Sequence, residues 1–133
     1  MKSKILFITF TIFCLIFLVS GCSKEDDVLG KMKKMVPLFE DATVVESKVA
    51  DEKMAVVMME VDTSKASQKD IFDFYKDTMT KQGWELKNFK DYGKNGSVME
   101  LAKEDIGTLS VVTIMKKVEK TGKIPLTVNL TLK

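Results

Sequence analysis

One segment of this sequence repeats its apolar residues with the period of a helix, whereas the segments that flank it have the pattern of strands. The repeat follows i, i+3, i+4, i+7 and i+8 and comprises Ile71, Phe74, Tyr75, Thr78 and Met79. Ser67 and Asp70 are spaced as in a capping box, with Asp in place of the usual Glu. Gly83 stands where a C-terminal cap belongs. The sequence therefore predicts one main helix over roughly residues 68–82.

Strand-type patterns occupy most of the chain on both sides of this helix. They span residues 42–49 and 53–61 before it, and residues 84–89, 98–102, 109–115 and 124–133 after it. The last one alternates most regularly, as in a strand with one dry and one wet face. Residues 53–61 are almost continuously apolar, which predicts a central strand covered on both faces or nearly so. Because short connections favour antiparallel pairing, we expect an α+β fold in the order ββαββββ, a two-layer sandwich of a curved antiparallel sheet with one main helix packed on one face.

The N-terminus has a different pattern from the rest of the chain. Lys2 and Lys4 precede residues 5–19, of which thirteen in fifteen are apolar. A short basic region followed by an apolar core is typical of a secretory signal. As a helix this segment rises about 22 Å, less than the roughly 30 Å hydrocarbon core of a bilayer. A cleaved signal is therefore favoured over a permanent transmembrane helix.

The residues that follow, Val19-Ser20-Gly21-Cys22, resemble the lipobox of bacterial lipoproteins. The resemblance implies cleavage between Gly21 and Cys22 and attachment of a diacylglyceryl group to the Cys22 thiol. Ser23 after the cysteine implies transfer to the outer membrane, facing the periplasm, in a cell with two membranes. An ordinary secreted protein with a chance cysteine at the cut, or an uncleaved anchor, are the alternatives.

Processing at this position would divide the chain into three parts. Residues 1–21 form the signal peptide, residues 22–36 the acylated cysteine and tether, and residues 37–133 a single α+β domain. Apolar residues alternate with lysines at helical spacing near the end of the tether. A short amphipathic helix that binds the membrane surface or a partner is one interpretation of this segment, and a helix packed on the domain or a frayed linker is the alternative.

Composition argues against most kinds of catalysis. The chain has no histidine, which removes the commonest general base and metal ligand, and no arginine, which removes bidentate phosphate contacts. Cys14 leaves with the signal and Cys22 carries lipid, so the mature domain has no thiol for zinc or haem. Removal of Lys2 and Lys4 leaves 19 lysines against 19 acidic residues, and a neutral chain is a poor nucleic-acid binder. We expect no enzyme activity, metal, cofactor or nucleic-acid partner.

Three groups of residues are candidates for contact with a partner. Phe72 lies off the main apolar stripe of the helix, Tyr92 lies in a predicted hairpin turn, and a lysine-rich loop carries Lys116, Lys117, Lys120 and Lys123. The lysines suit an anionic lipid or a cell-wall polymer, and a solvated hairpin is the alternative. Trp84, directly after the helix, is expected to be a core anchor.

A second resemblance covers about residues 28–133. The pattern Pro37-x-Phe39-x-Asp41-Ala42, followed by Phe74-Tyr75 and Gly83-Trp84, is similar to that of small bacterial lipoproteins of the FY…GW type. The layout is also similar to the helix-grip domains of accessory lipoproteins in outer-membrane β-barrel assembly, as a fold-level analogy. Neither resemblance implies a catalytic residue.

From these observations we expect a non-enzymatic envelope lipoprotein, held at the membrane by the Cys22 lipid, that binds an envelope protein or cell-wall polymer or supports a complex. The alternative is a carrier of a lipid or other small apolar ligand in a groove between helix and sheet. A pocket of about 300 Å³ or more at that place favours the carrier. A filled core with an exposed apolar patch favours the partner module.

Overall fold

The computed structural model describes residues 27–133. The predicted signal peptide, the cleavage site at Gly21 and the lipidated Cys22 lie outside these residues. The helices are α1 (Val28–Met35), α2 (Gln68–Lys81) and the single turn α3 (Val118–Thr121). The strands are β1 (Ala42–Val49), β2 (Met54–Asp62), β3 (Glu85–Asp91), β4 (Ser97–Lys103), β5 (Gly107–Thr113) and β6 (Lys123–Leu132), and a 3-10 turn covers Gly93–Asn95. In this part of the chain, no helix is long and apolar enough to cross a membrane.

The six strands form one sheet in the spatial order β1-β2-β6-β5-β4-β3, and every neighbouring pair is antiparallel. The expected α+β fold with an antiparallel sheet is therefore confirmed. The sheet is open, with β1 and β3 at its two edges. Along the chain, α1 precedes β1 and α3 precedes β6, so the observed order contains helical segments that the predicted ββαββββ order lacks. The lysine-rich segment expected to be a loop contains α3.

The helix α2 begins at the capping box that the sequence predicts. The Ser67 hydroxyl accepts a hydrogen bond from the Asp70 N–H at 3.2 Å, and the Asp70 carboxylate accepts one from the Ser67 N–H at 2.9 Å. These bonds satisfy N–H groups that the start of a helix leaves unpaired. Bonds from the Ser67 backbone and hydroxyl also hold the pKa of Asp70 below its usual value. The cap therefore defines where α2 starts and orients its first turn over the sheet.

One core joins α1, α2 and one face of the sheet. The buried side chains of β6 form the alternating set that the sequence predicts, Ile124, Leu126, Val128 and Leu130. Neighbouring strands place apolar residues in register with this set, since Val57 of β2 and Val111 of β5 both pair with Val128. Trp84 is 3% exposed within the same cluster. Its predicted role as a core anchor is therefore confirmed.

The strand β2 lies inside the sheet, and its burial fits the expectation that it is covered on both faces or nearly so, although the helices pack against one face only. Both α1 and α2 pack against the face that carries Val57. The opposite face of β2 carries Val56, which is only 8% exposed although no helix of residues 27–133 joins it to the core cluster. Val56 pairs with Lys48 on β1 and with Asn129 on β6, and the stems of such neighbours shield an apolar side chain. The apolar run of β2 thus reflects its interior position in the sheet.

The helix α1 belongs to the packed domain. Asp27 caps it by accepting a hydrogen bond of 2.7 Å from an N–H of the first turn, and Val28 and Met32 are buried in the common core. The segment between α1 and β1 is tied to α2, because the Tyr75 hydroxyl accepts a bond from the Phe39 N–H at 3.3 Å. Burial raises the pKa of Tyr75 to about 12. The hydroxyl is therefore neutral at physiological pH.

Candidate functional site

A groove with a volume of about 400 Å³ runs between α2 and the edge strand β3. We call it the α2–β3 groove, and the residues that define it are Gln68, Phe72, Leu86, Phe89, Ser97 and Met99. It is apolar along its middle and polar at the end where α2 begins. Because β3 is the last strand of the sheet, the groove opens along the edge of the sheet.

The apolar part of the groove combines one buried ring with two exposed side chains. Phe72 is 6% exposed, and its ring meets the Phe89 ring edge-to-face with the centroids 5.2 Å apart. Such aromatic pairs contribute about 0.5–1.5 kcal/mol beyond the area that they bury. Phe89 is nevertheless 48% exposed and Leu86 is 39% exposed. The contact therefore orients Phe89 while leaving much of its surface open to solvent.

A β-bulge in β3 is the reason that both exposed side chains face the groove. Residues three positions apart in a regular strand point to opposite faces of the sheet. The register between β3 and β4 shifts between Leu86 and Asn88, so that Leu86 pairs with Leu101 and Phe89 pairs with Met99. Leu101 and Met99 both belong to the core. The bulge therefore puts Leu86 and Phe89 on the same side of the sheet as α2.

A polar network closes the groove at the start of α2. The Gln68 side-chain amide donates a hydrogen bond of 2.8 Å to Ser97 Oγ and another of 2.8 Å to Thr113 Oγ1. Ser97 Oγ donates to Asp91 Oδ1 at 3.2 Å, and the same oxygen accepts from the Gly93 N–H at 2.8 Å. Ser97 and Thr113 are almost fully buried, and a buried hydroxyl without a partner would cost about 1–3 kcal/mol. The network therefore gives this end of the groove a defined polar wall.

Charged side chains form the rim of the groove on the α2 side. Lys69 and Asp73 form an i,i+4 ion pair. The hydrogen bond and the charge of Asp73 raise the pKa of Lys69. Lys76 lines the groove farther along the helix. An occupant of the groove therefore meets apolar surface inside and solvated charges at the rim.

The structure does not bring all the predicted contact residues together. Phe72 lies in the groove and is buried, because the Phe89 ring packs against it. Tyr92 follows β3 and is 56% exposed, but it does not line the groove. The lysines surround α3 and the start of β6, and all of them are exposed: Lys116, Lys117, Lys120 and Lys123. Lys123 forms an ion pair of 3.5 Å with Glu60 of β2.

The sequence patterns do not single out the other residues of the groove. They assign Leu86 and Phe89 to a strand only, and they give no role to Gln68, Ser97 or Asp91. The sequence does contain one indication for Leu86 and Phe89. Two large apolar residues at i and i+3 in a strand do not fit regular alternation, and a bulge is the structure that accommodates this spacing.

A larger depression, of about 690 Å³, lies at the other end of the sheet. Half of its lining residues are charged, and none of those in the described chain is aromatic. Among them, Lys87 lowers the pKa of Glu85 through a hydrogen bond and its charge. Phe72 and Phe89 line the α2–β3 groove, and we therefore place the candidate site there.

The groove provides apolar surface, a free strand edge and a hydrogen-bonded polar wall. Its two carboxylates are engaged, Asp73 with Lys69 and Asp91 with Ser97. Across residues 27–133, no group of three or more acidic, histidine or cysteine side chains is arranged to hold a metal ion. No protein-family profile matches the chain, and no match was found among curated proteins or solved structures. The function is therefore argued from the chemistry of the groove.

Proposed function

We propose that this chain is a non-enzymatic, lipid-anchored binding module of the cell envelope, and that the α2–β3 groove receives an extended segment of a partner protein. The observation that carries the proposal is the exposure of Leu86 and Phe89 together on an edge strand, beside the buried ring of Phe72. Proteins usually protect strand edges, because an exposed apolar edge invites pairing with another chain. An apolar edge that remains open therefore suits a partner.

The backbone of β3 adds to this argument. Within the described chain, one side of β3 has no neighbouring strand, so an extended segment can pair with it through main-chain hydrogen bonds. Alternate side chains of an added strand point toward the same face of the sheet. That face carries the apolar side chains of the groove. The lysines Lys87 and Lys90 on β3 reduce indiscriminate pairing at this edge.

A second candidate function is the carriage of a small apolar ligand. The groove volume of about 400 Å³ favours it, because small-molecule sites commonly measure about 300–1,000 Å³. We favour the protein segment because the groove lies at the open edge of the sheet, along β3. Phe89 faces solvent there at 48% exposure, whereas a carrier encloses its ligand.

The proposal assigns separate tasks to the parts of the chain. We take α2 as the main helix of a ββαββββ unit with a curved sheet, and this unit forms the groove. The Cys22 lipid holds the unit at the membrane, on the periplasmic side of the outer membrane in a cell with two membranes. Anchoring raises the local concentration of the module near an envelope partner, so that a weak interface suffices.

A photocrosslinking amino acid at Phe89 tests the groove in the full-length lipidated chain within its own envelope. We expect one discrete adduct with a protein. Ile114 is the matched control position, because both side chains are 48% exposed and Ile114 does not line the groove. Leu86→Asp is expected to reduce crosslinking at Phe89 by about tenfold or more, since a charge in the apolar groove need cost only about 1.4 kcal/mol to do so.

Each outcome of this experiment has a defined meaning. A protein adduct at Phe89 that Leu86→Asp removes supports the binding module. An adduct with the mass of a small molecule supports the carrier instead. The absence of an adduct at Phe89, or equal crosslinking at Phe89 and Ile114, contradicts both functions.

Cys22→Ser tests the anchor. A serine hydroxyl does not accept the diacylglyceryl group, so we expect loss of palmitate labelling. Cys14→Ser is the control, and we expect it to keep the labelling because Cys14 lies within the predicted signal. Labelling that survives Cys22→Ser contradicts the lipoprotein assignment.

A further inference from the structure

The predicted anchor and the packed domain are close together in sequence. Asp27, the N-cap of α1, is five residues from Cys22, and five residues span at most about 18 Å when fully extended. Asp27 therefore lies within about 18 Å of a lipid-bearing cysteine. Because Val28 and Met32 are buried in the core, α1 brings the whole domain near the bilayer surface.

The exposed positions of α1 are basic. Lys31, Lys33 and Lys34 are exposed, and α1 contains no acidic residue. A depression beside α1 adds Lys133 and a single acid, Asp105. Lysines are attracted to the headgroups of an anionic bilayer. The long lysine side chain lets the ammonium group reach the headgroups. The helix α1, which begins after the acidic N-cap Asp27, thus has the charge that suits an anionic membrane.

The helix α1 and the α2–β3 groove lie over different halves of the sheet. α1 contacts β1, β2 and β6, whereas α2 contacts β3 and β5. The six strands place the edges β1 and β3 about 24 Å apart at the usual spacing of about 4.8 Å between strands. Contact with a bilayer through α1 and the β1 side of the sheet therefore leaves the groove at the far edge.

We infer that the lysine side of α1 docks the tethered domain on anionic lipid headgroups, and that this contact keeps the α2–β3 groove accessible to its partner. The inference rests on the proposed lipid anchor at Cys22. The acyl chains supply attachment, and the lysines of α1 supply orientation.

Lysine footprinting of the full-length lipidated chain tests this orientation. The protein is placed in phosphatidylcholine vesicles with or without phosphatidylglycerol and treated with an amine-reactive reagent. We expect severalfold slower labelling of Lys31 and Lys33 in the anionic vesicles, with recovery at about 1 M salt, where the Debye length is about 3 Å. Lys90 and Lys94, on the β3 side, should react equally in both. Equal labelling of Lys31 and Lys33 in the two vesicles, or equal protection of all four lysines, overturns the inference.

Two double variants provide a matched comparison, with Lys34 as the reporter. K31Q/K33Q is expected to abolish the protection of Lys34 in anionic vesicles, whereas K90Q/K94Q should preserve it. All four replaced side chains are exposed, so both variants should fold. The mass of the N-terminal peptide separates the two proposals. An unacylated Cys22 contradicts the anchor, whereas an acylated chain without selective protection overturns the docking of α1 alone.

Discussion

Replacement of Trp84 by alanine is expected to lower the free energy of unfolding by about 3–5 kcal/mol, the usual cost of truncating a buried aromatic side chain. Trp84 is 3% exposed and belongs to the core that joins the helices to the sheet. Its backbone N–H donates a hydrogen bond of 3.1 Å to the Met79 carbonyl, which fixes Trp84 where α2 ends. Alanine would leave a cavity at the junction of α2 and β3.

Urea denaturation followed by far-UV circular dichroism measures this loss, because the variant no longer has tryptophan fluorescence. Tyr92→Ala is the control, since Tyr92 is an aromatic residue that is 56% exposed, and we expect a change within about 0.5 kcal/mol. A free energy of unfolding for Trp84→Ala equal to that of the unaltered chain would contradict the position of Trp84 in the core.

The second large effect is expected at Gly96, in the turn between β3 and β4. Gly96 has φ +119° and ψ −163°, a conformation that only glycine adopts readily. A Cβ there would overlap the Thr113 carbonyl oxygen and lie 3.1 Å from Ile114 Cα. Because about 1–3 kcal/mol of backbone strain adds to this overlap, Gly96→Ala should cost about 3 kcal/mol or more.

Gly93→Ala separates the effect of conformation from that of crowding. Gly93 lies in the same turn at φ +61°, but a Cβ there meets no atom within 4 Å. We expect a cost of about 1–2 kcal/mol, the penalty for a left-handed residue other than glycine. Thermal unfolding of the two variants measures the difference. Equal melting temperatures for Gly96→Ala and Gly93→Ala would contradict the expected overlap, because the turn at Gly96 would then shift without loss of stability.

Gly96→Ala should also disturb the α2–β3 groove. The turn positions Asp91 and Ser97, which belong to the polar wall together with Gln68. A shift of the turn would therefore weaken binding in the groove as well as stability. Leu86→Asp should weaken binding while changing stability less, because Leu86 is 39% exposed. Comparison of these variants separates the contribution of the turn from that of the apolar surface.

The sequence predicts the secondary structure well because local signals are strong. The capping box at Ser67 and the helical period after it identify α2, and the alternation in β6 identifies its buried face. These features depend on backbone geometry and on the period of side chains, which are local properties. The apolar run of β2 predicts a covered interior strand, but it does not reveal whether helices or neighbouring strands cover each face.

The groove is only partly predictable. The sequence identifies Phe72 as an aromatic residue outside the main apolar stripe of α2. Its ring partner Phe89 lies on β3, so the helical pattern does not reveal the pair. Regular alternation would place Leu86 and Phe89 on opposite faces of the sheet, and the bulge in β3 reverses this. A bulge depends on the register with β4, which is a property of two strands. The polar wall likewise joins Gln68, Ser97 and Thr113 from separate elements.

The sequence by itself predicts an address in the cell envelope, and it determines the positions of α2 and most strands, because these depend on residues close together in the chain. It also shows that the chain has no histidine and no arginine. The tertiary structure alone decides that β6 lies between β2 and β5, that α1 joins the core and that an apolar groove opens beside β3. These features depend on contacts between residues far apart in the chain. Such contacts form where burial and strand register favour them together, and no local pattern encodes them.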